Sequence, residues 1–384
     1  MAEIIYMRQM RSFMVTPFRP AIIGQCACNC QACAGQITSV FWPIAAKTMR
    51  SSSSRAKHGR VMCPTALPRS TRLTLEQAGD RIAVTEIENR HRRQSLMAIV
   101  GSGDYRYERV PSWPNMPKYW AFGAASDGAV NSKDEVHIFS RGDHPLTIWD
   151  PDGNFISSWG EATFSANPHG IYIAPNDNVW LVDRDYHIAT EYTPGGETIR
   201  TLGNKLAPSP SFQGMPFNMP SGIAIAPNGE LFVSDGYGGH RVHKFSAEGE
   251  LLLSWGKQGT GPGEFALVHN IWVDKDSRVI VCDRENNRIQ IFDANGAFIE
   301  EWTDMVQPGD VWIHDDLVYV IEQGGGNAVS IWTPNGELVT RWRGNEGAGQ
   351  GTLLGGHGLC VDSHGSIYVT EIGQGERVSK FVRV

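Results

Sequence analysis

A chain of 384 residues exceeds one average domain, yet a closed all-β unit can use that many, so length alone forces no division. With 41% hydrophobic residues, 42 glycines, 21 prolines and 12 tryptophans, it has apolar material for a large core and turn residues for many short elements. A net charge of -7 and a pI near 6.0 exclude a general phosphate-binding surface, because nucleic-acid binding needs clustered Lys and Arg.

No run approaches the roughly 20 apolar residues of a membrane-spanning helix. Arg8, Arg11 and Arg19 interrupt any stretch resembling a secretory leader. The expectation is a soluble, cytoplasmic monomer acting on a small-molecule or peptide substrate, with no nucleic-acid or membrane partner. Residues 1–96 carry scattered arginines, a run from Ser51 to Ser54 and no sustained apolar period, which predicts a low-complexity, disordered extension. Cys26, Cys28, Cys30 and Cys33 cluster there, Cys63 stands alone, and Cys282 and Cys360 lie further on. The spacing QCACNCQAC fits neither a paired-thiolate zinc motif nor a disulfide framework.

From Met97 onward β-type patterning begins, and it repeats. A first, divergent copy runs from Asp127 to Gly160 (DGAVNSKDEVHIFSRGDH and onward). Others start at Pro168 (PHGIYIAPNDNVWLVD), Pro220 (PSGIAIAPNGELFVSD), Val268 (VHNIWVDKDSRVIVCD), Pro308 (PGDVWIHDDLVYVIE) and Gly356 (GHGLCVDSHGSIYVTE). Each copy holds four short β-rich runs, with Asn228-Gly229, Glu248-Gly249, Asn295-Gly296 and Asn335-Gly336 as hairpin signals. One copy is one four-stranded blade, which cannot bury both its faces alone, so the six predict an all-β, six-bladed β-propeller over 97–384. Trp159, Trp255, Trp302 and Trp342 recur late in the copies. The last copy has three runs, and YRYERV at 105–110 is placed to supply its outer strand and close the ring.

In a blade, the start of the first strand and the turn after the second share one face. There the second, fourth and sixth copies carry His169, His269 and His357, while the third and fifth carry Ser221 and Gly309. Alternate blades lie about 120° apart around a six-bladed ring, so three imidazoles at one height can hold one ion and leave a coordination place open. A histidine at a strand start can also simply pack, but the alternation favours a metal site. The turn after the second strand offers Arg141, Arg184, Tyr237 and Arg284 to the same mouth. A Tyr beside a metal-bound hydroxyl can act as a base, and Arg can neutralise developing negative charge. An ion pair of Arg141 with Asp143 is the plainer alternative. A calcium reading through Asp150, Asp183, Asp235, Asp274, Asp283 and Asp362 is weaker, since such recurring acids stabilise turns by accepting backbone N–H groups.

The pieces FSRGDH, PHG, VSDGYGGHR, VHNIWVD, CDRENNRIQIF and GHG resemble NHL-repeat propellers, and among these the peptidyl-α-hydroxyglycine α-amidating lyases. The resemblance covers about 105–384. It implies zinc on His169, His269 and His357, a catalytic Tyr237, and substrate-facing Arg141 and Arg284. That family places a Met two residues before its third histidine and a calcium-binding Asp directly after it. This chain has Gly355 and Gly358 there, so calcium does not carry over.

The function this implies is metal-dependent C–N lysis of a carbinolamide to an amide and glyoxylate, with zinc as Lewis acid. A zinc hydrolase acting on a lactone, ester or amide and a non-enzymatic scaffold stay open as alternatives.

Overall fold

The computed structural model describes residues 99–210, 215–345 and 351–384. The extension expected at 1–96 and the cysteine cluster lie outside the described residues. β1 (Ile99–Ser102) and β2 (Tyr105–Val110) precede the ring. Blade one is β3 (Ala125–Val130), β4 (Val136–Ser140), β5 (Leu146–Trp149) and β6 (Phe155–Trp159); blade two is β7 (Pro168–Ile173), β8 (Val179–Asp183), β9 (Ile188–Tyr192) and β10 (Thr198–Gly203). Blade three is β11 (Gly222–Ile225), β12 (Leu231–Asp235), β13 (Arg241–Phe245) and β14 (Leu251–Trp255); blade four is β15 (Val268–Val273), β16 (Val279–Asp283), β17 (Arg288–Phe292) and β18 (Phe298–Trp302). Blade five is β19 (Pro308–His314), β20 (Leu317–Glu322), β21 (Ala328–Trp332) and β22 (Leu338–Arg343); blade six is β23 (Gly356–Val361), β24 (Ile367–Glu371) and β25 (Val378–Arg383). The chain is an all-β six-bladed propeller. Among the described residues there is no α-helix, and a 3-10 turn spans Arg284–Asn286. No helix there is long and apolar enough to cross a membrane.

The YRYERV segment is β2, which pairs antiparallel with β25 through Tyr107–Arg383 and Val110–Lys380. β1 pairs outside β2, so the sixth sheet has five strands, one more than the repeat pattern predicts. The first three strands of a blade are mostly buried and the fourth is half-exposed, as FISSW in β6 illustrates. Six apolar clusters fill the six interfaces between neighbouring blades. Trp180, Val182 and Leu202 of blade two meet Ile223, Val233 and Phe245 of blade three, and Trp149 and Ile138 of blade one meet Tyr368 and Val378 of blade six. Burial is therefore continuous around the ring, including across its seam.

The hairpin glycines act through a left-handed backbone. Gly229 has φ +88° while Asn228 does not, and Gly229 N–H donates to the Ala226 carbonyl at 2.8 Å. This is a type I turn followed by a one-residue bulge, a common three-residue hairpin loop.

Candidate functional site

In five of the six first strands the pairing with the second strand slips by one residue at its start. Pro168 pairs with Asp183 and Gly170 with Val182, so His169 is the extra residue of a β-bulge. His269, His357, Ser126 and Gly309 occupy the same bulged position in their blades. Bulges re-aim a side chain beside a functional site. Here they do so at one height around the tunnel.

His169, His269 and His357 are all buried, and their ring nitrogens lie within 4.8 Å of one another. Ring centroids are separated by 4.8, 5.0 and 4.8 Å, close to threefold symmetry. Each Nδ1 sits against a main-chain carbonyl of the next blade: His169 with Ser221 at 2.8 Å, His269 with Gly309 at 2.6 Å and His357 with Ser126 at 2.6 Å. A carbonyl only accepts, so Nδ1 carries the proton in all three and Nε2 keeps its lone pair. Such orientation of the distal nitrogen is what a metal-binding imidazole requires. The blades lacking histidine thus supply the acceptors, and His357 to Ser126 spans the seam of the ring.

Burial holds His169 and His269 well below the ordinary histidine range, aided by neighbouring histidine and arginine charge. Burial likewise brings His357 down to about 3. The three rings are neutral at physiological pH, the form in which an imidazole can bind a metal. His269 Nε2 is buried with no hydrogen-bond partner, a costly state for a polar atom and one that a bound cation would relieve. Three neutral Nε2 atoms facing a common point, one of them unpartnered, fit a three-histidine metal site.

His169 Nε2 accepts from the Tyr237 hydroxyl at 3.1 Å. Tyr237 follows β12 in blade three and lies between the arginines of blades two and four. The Arg184 guanidinium is 4.9 Å and that of Arg284 5.8 Å from its ring centre. Arg184 is tied to Asp185 and Arg284 to Glu285, each at 2.9 Å. Arg141 instead donates through Nε to the Pro168 carbonyl at 3.4 Å; it forms no ion pair with Asp143, contrary to the plainer sequence alternative. Burial lowers the Arg141 pKa, partly opposed by Tyr237. The residues singled out in the sequence therefore converge on one mouth.

The recurring acids have structural partners. Asp183 and Asp235 accept N–H groups of Ser165 and Asn218, bracing the loop that enters the first strand. Asp150, Asp274 and Asp362 accept N–H groups within their own hairpin turns. Sequence reasoning missed the layer one residue further along the first strands, where Asp127, Asn270 and Asp310 line the tunnel. Asp127 accepts from Gly128 and Ile171, and Asp310 from Val311, Leu359 and Asn270. Burial raises the pKa of both carboxyls, and their mutual proximity raises Asp127 further. Two adjacent buried carboxyls resist joint ionisation.

A protein-family profile described as a 6-bladed beta-propeller matches residues 215–308. NHL repeat-containing protein 3 of Homo sapiens is 31% identical over 231 residues, covering 56% of this chain and 66% of that protein. Peptidyl-alpha-hydroxyglycine alpha-amidating lyase 1 of Drosophila melanogaster is 32% identical over 207 residues, covering 50% of this chain and 37% of that protein. The chain therefore spans less than two thirds of the length of each of these relatives. Among solved structures, a streptogramin B lyase superposes with a TM-score of 0.52 at 13% identity, covering 73% of this chain and 99% of the other. A Xanthomonas campestris gluconolactonase gives 0.52 at 12% identity over 76% and 92%; both likenesses concern the fold alone. The chain is an NHL-repeat six-bladed propeller whose homologues, at about 30% identity, include NHL repeat-containing protein 3 and the peptidyl-alpha-hydroxyglycine alpha-amidating lyases.

Proposed function

We propose that the chain is a zinc-dependent lyase that cleaves the C–N bond of a peptidyl-α-hydroxyglycine-like carbinolamide, R–CO–NH–CH(OH)–COO⁻, into R–CO–NH₂ and glyoxylate. The observation that carries this reading is a tyrosine hydroxyl 3.1 Å from one nitrogen of a three-histidine cluster, with an arginine on either side of its ring. That combines a proton acceptor, a Lewis-acid seat and anion recognition within one mouth. The names of the fly and worm amidating lyases among the relatives support the same chemistry.

His169, His269 and His357 would hold the zinc, which supplies Lewis acidity toward the substrate hydroxyl. Tyr237, having given up its own hydroxyl proton to solvent, accepts the substrate hydroxyl proton as a phenolate. The O–H electron pair becomes the carbonyl of glyoxylate, the C–N bond breaks, and the departing amide nitrogen takes up a proton. The reaction is redox-neutral and consumes no water. Arg141 and Arg284 orient the substrate carboxylate through their N–H forks. Asp185 and Glu285 pair directly with two of the three mouth arginines, which leaves Arg141 as the one in no direct ion pair among the described residues. The mouth is thus matched to a substrate with one carboxylate at the reacting end.

The test incubates zinc-loaded protein with an N-acyl-α-hydroxyglycine in ¹⁸O-labelled water against a protein-free blank. Lysis yields glyoxylate and an unlabelled carboxamide. A labelled carboxylic acid would mean hydrolysis of the amide, and no turnover above the blank would remove the enzymatic reading for this substrate class.

A further inference from the structure

Gln323 follows β20 in blade five, at the register where blades one, two and four place Arg141, Arg184 and Arg284. Its Oε1 accepts from Arg284 Nη1 at 3.1 Å, and its Nε2 donates to the His357 carbonyl at 3.4 Å. Its side chain also lies over Gly309, where a Cβ would come within 2.5 Å of Nε2 and 2.8 Å of Cγ and Cδ. The Gly309 carbonyl is in turn the acceptor for His269 Nδ1. Gln323 therefore touches an arginine of the mouth, the main chain of one histidine and the residue that orients another.

Of the five N–H donors of a guanidinium, the Arg284 set is committed as follows: Nε and Nη2 meet Glu285, and one donor of Nη1 meets Gln323. Two donors remain, one on each terminal nitrogen. Without Gln323, the Glu285 contact alone would leave the plane of the guanidinium free to turn about that edge. We propose that Gln323 is a positioning residue that fixes the Arg284 fork to receive the substrate carboxylate, so that it sets affinity for carboxylate-bearing ligands while making no contact with the reacting bond. This rests on the reading of Arg284 as a carboxylate-binding residue.

The test is a double-mutant cycle on zinc-loaded protein, reading glyoxylate binding by calorimetry beside zinc content. Gln323→Leu should weaken glyoxylate binding about tenfold with Arg284 present, the scale of a hydrogen bond to a charged group. It should change binding less than about twofold in an Arg284→Leu background, because Gln323 would then have nothing to position. Gln323→Glu keeps an acceptor for Arg284 but adds a negative charge facing the ligand, and should weaken binding more than Gln323→Leu. Equal losses in both backgrounds, or wild-type protein that binds no glyoxylate, would overturn the proposal. Turnover of the N-acyl-α-hydroxyglycine by wild type is read separately, so a failed lyase reading stays distinguishable from a failed role for Gln323.

Discussion

Replacing His269 by alanine tests how the three imidazoles contribute to stability, because two opposing terms meet in the metal-free protein. The substitution strands the Gly309 carbonyl, which now receives Nδ1–H at 2.6 Å, and an unpaired buried acceptor costs about 1–3 kcal/mol. It also deletes the buried, unpartnered Nε2, relieving a penalty of the same order, about 1–3 kcal/mol. Chelator-stripped wild type and His269→Ala should therefore differ by about 2 kcal/mol or less. Zinc separates them. At free zinc a thousandfold above Kd, binding to the native state alone adds about 4 kcal/mol. For a domain of this size, that raises Tm by roughly 7 °C. The assay is thermal unfolding of both proteins with chelator and with buffered zinc. A rise in wild type that His269→Ala lacks is the expected result; equal rises in the two proteins would refute metal binding at these histidines.

Tyr237→Phe should retain zinc and lower kcat by about 10² to 10⁴-fold, the usual worth of a general base; full turnover would remove the hydroxyl from the reaction. Arg141→Leu should lower kcat/KM by about tenfold to a hundredfold through loss of a charge-assisted contact, with less effect on an analogue lacking the carboxylate, and equal effects on both substrates would contradict its role. The acid response follows from the histidines. Their native pKa values lie below the unfolded value of about 6.5, so the stability they confer is present above that pH and is lost as pH falls toward the native values, about 3 for His357. Chelated protein should lose roughly 1.4 kcal/mol per pH unit for each histidine below pH 6, read by urea unfolding at pH 7, 6 and 5. A His357→Asn variant should show a correspondingly shallower slope.

The ring, its closing strand and the alternating histidines were legible because each rests on side-chain identity recurring at a fixed period. Repetition exposed the blades, and the YRYERV strand was needed where the sixth copy ran short. What orients the histidines was not legible, because it is carried by main chain. Any residue has a carbonyl, so Ser126, Ser221 and Gly309 signal their role only by being small. The bulges were equally silent, since one extra residue at a strand start leaves the rest of the alternation intact. β1 escaped notice because a strand that extends an already closed blade answers no missing element in the repeat. Gln323 was overlooked as a neutral side chain at a register otherwise marked by arginines. Its signal was Gly309, whose lack of a Cβ gives the glutamine its room.

The most direct test is a zinc titration of chelator-stripped protein, with glyoxylate release from an N-acyl-α-hydroxyglycine as the readout. Release should rise in proportion to added zinc and saturate at about one ion per chain, the stoichiometry of a single three-histidine site, while His269→Ala stays at the blank throughout. Turnover that persists in the stripped protein, or saturating zinc that produces none, would contradict the account.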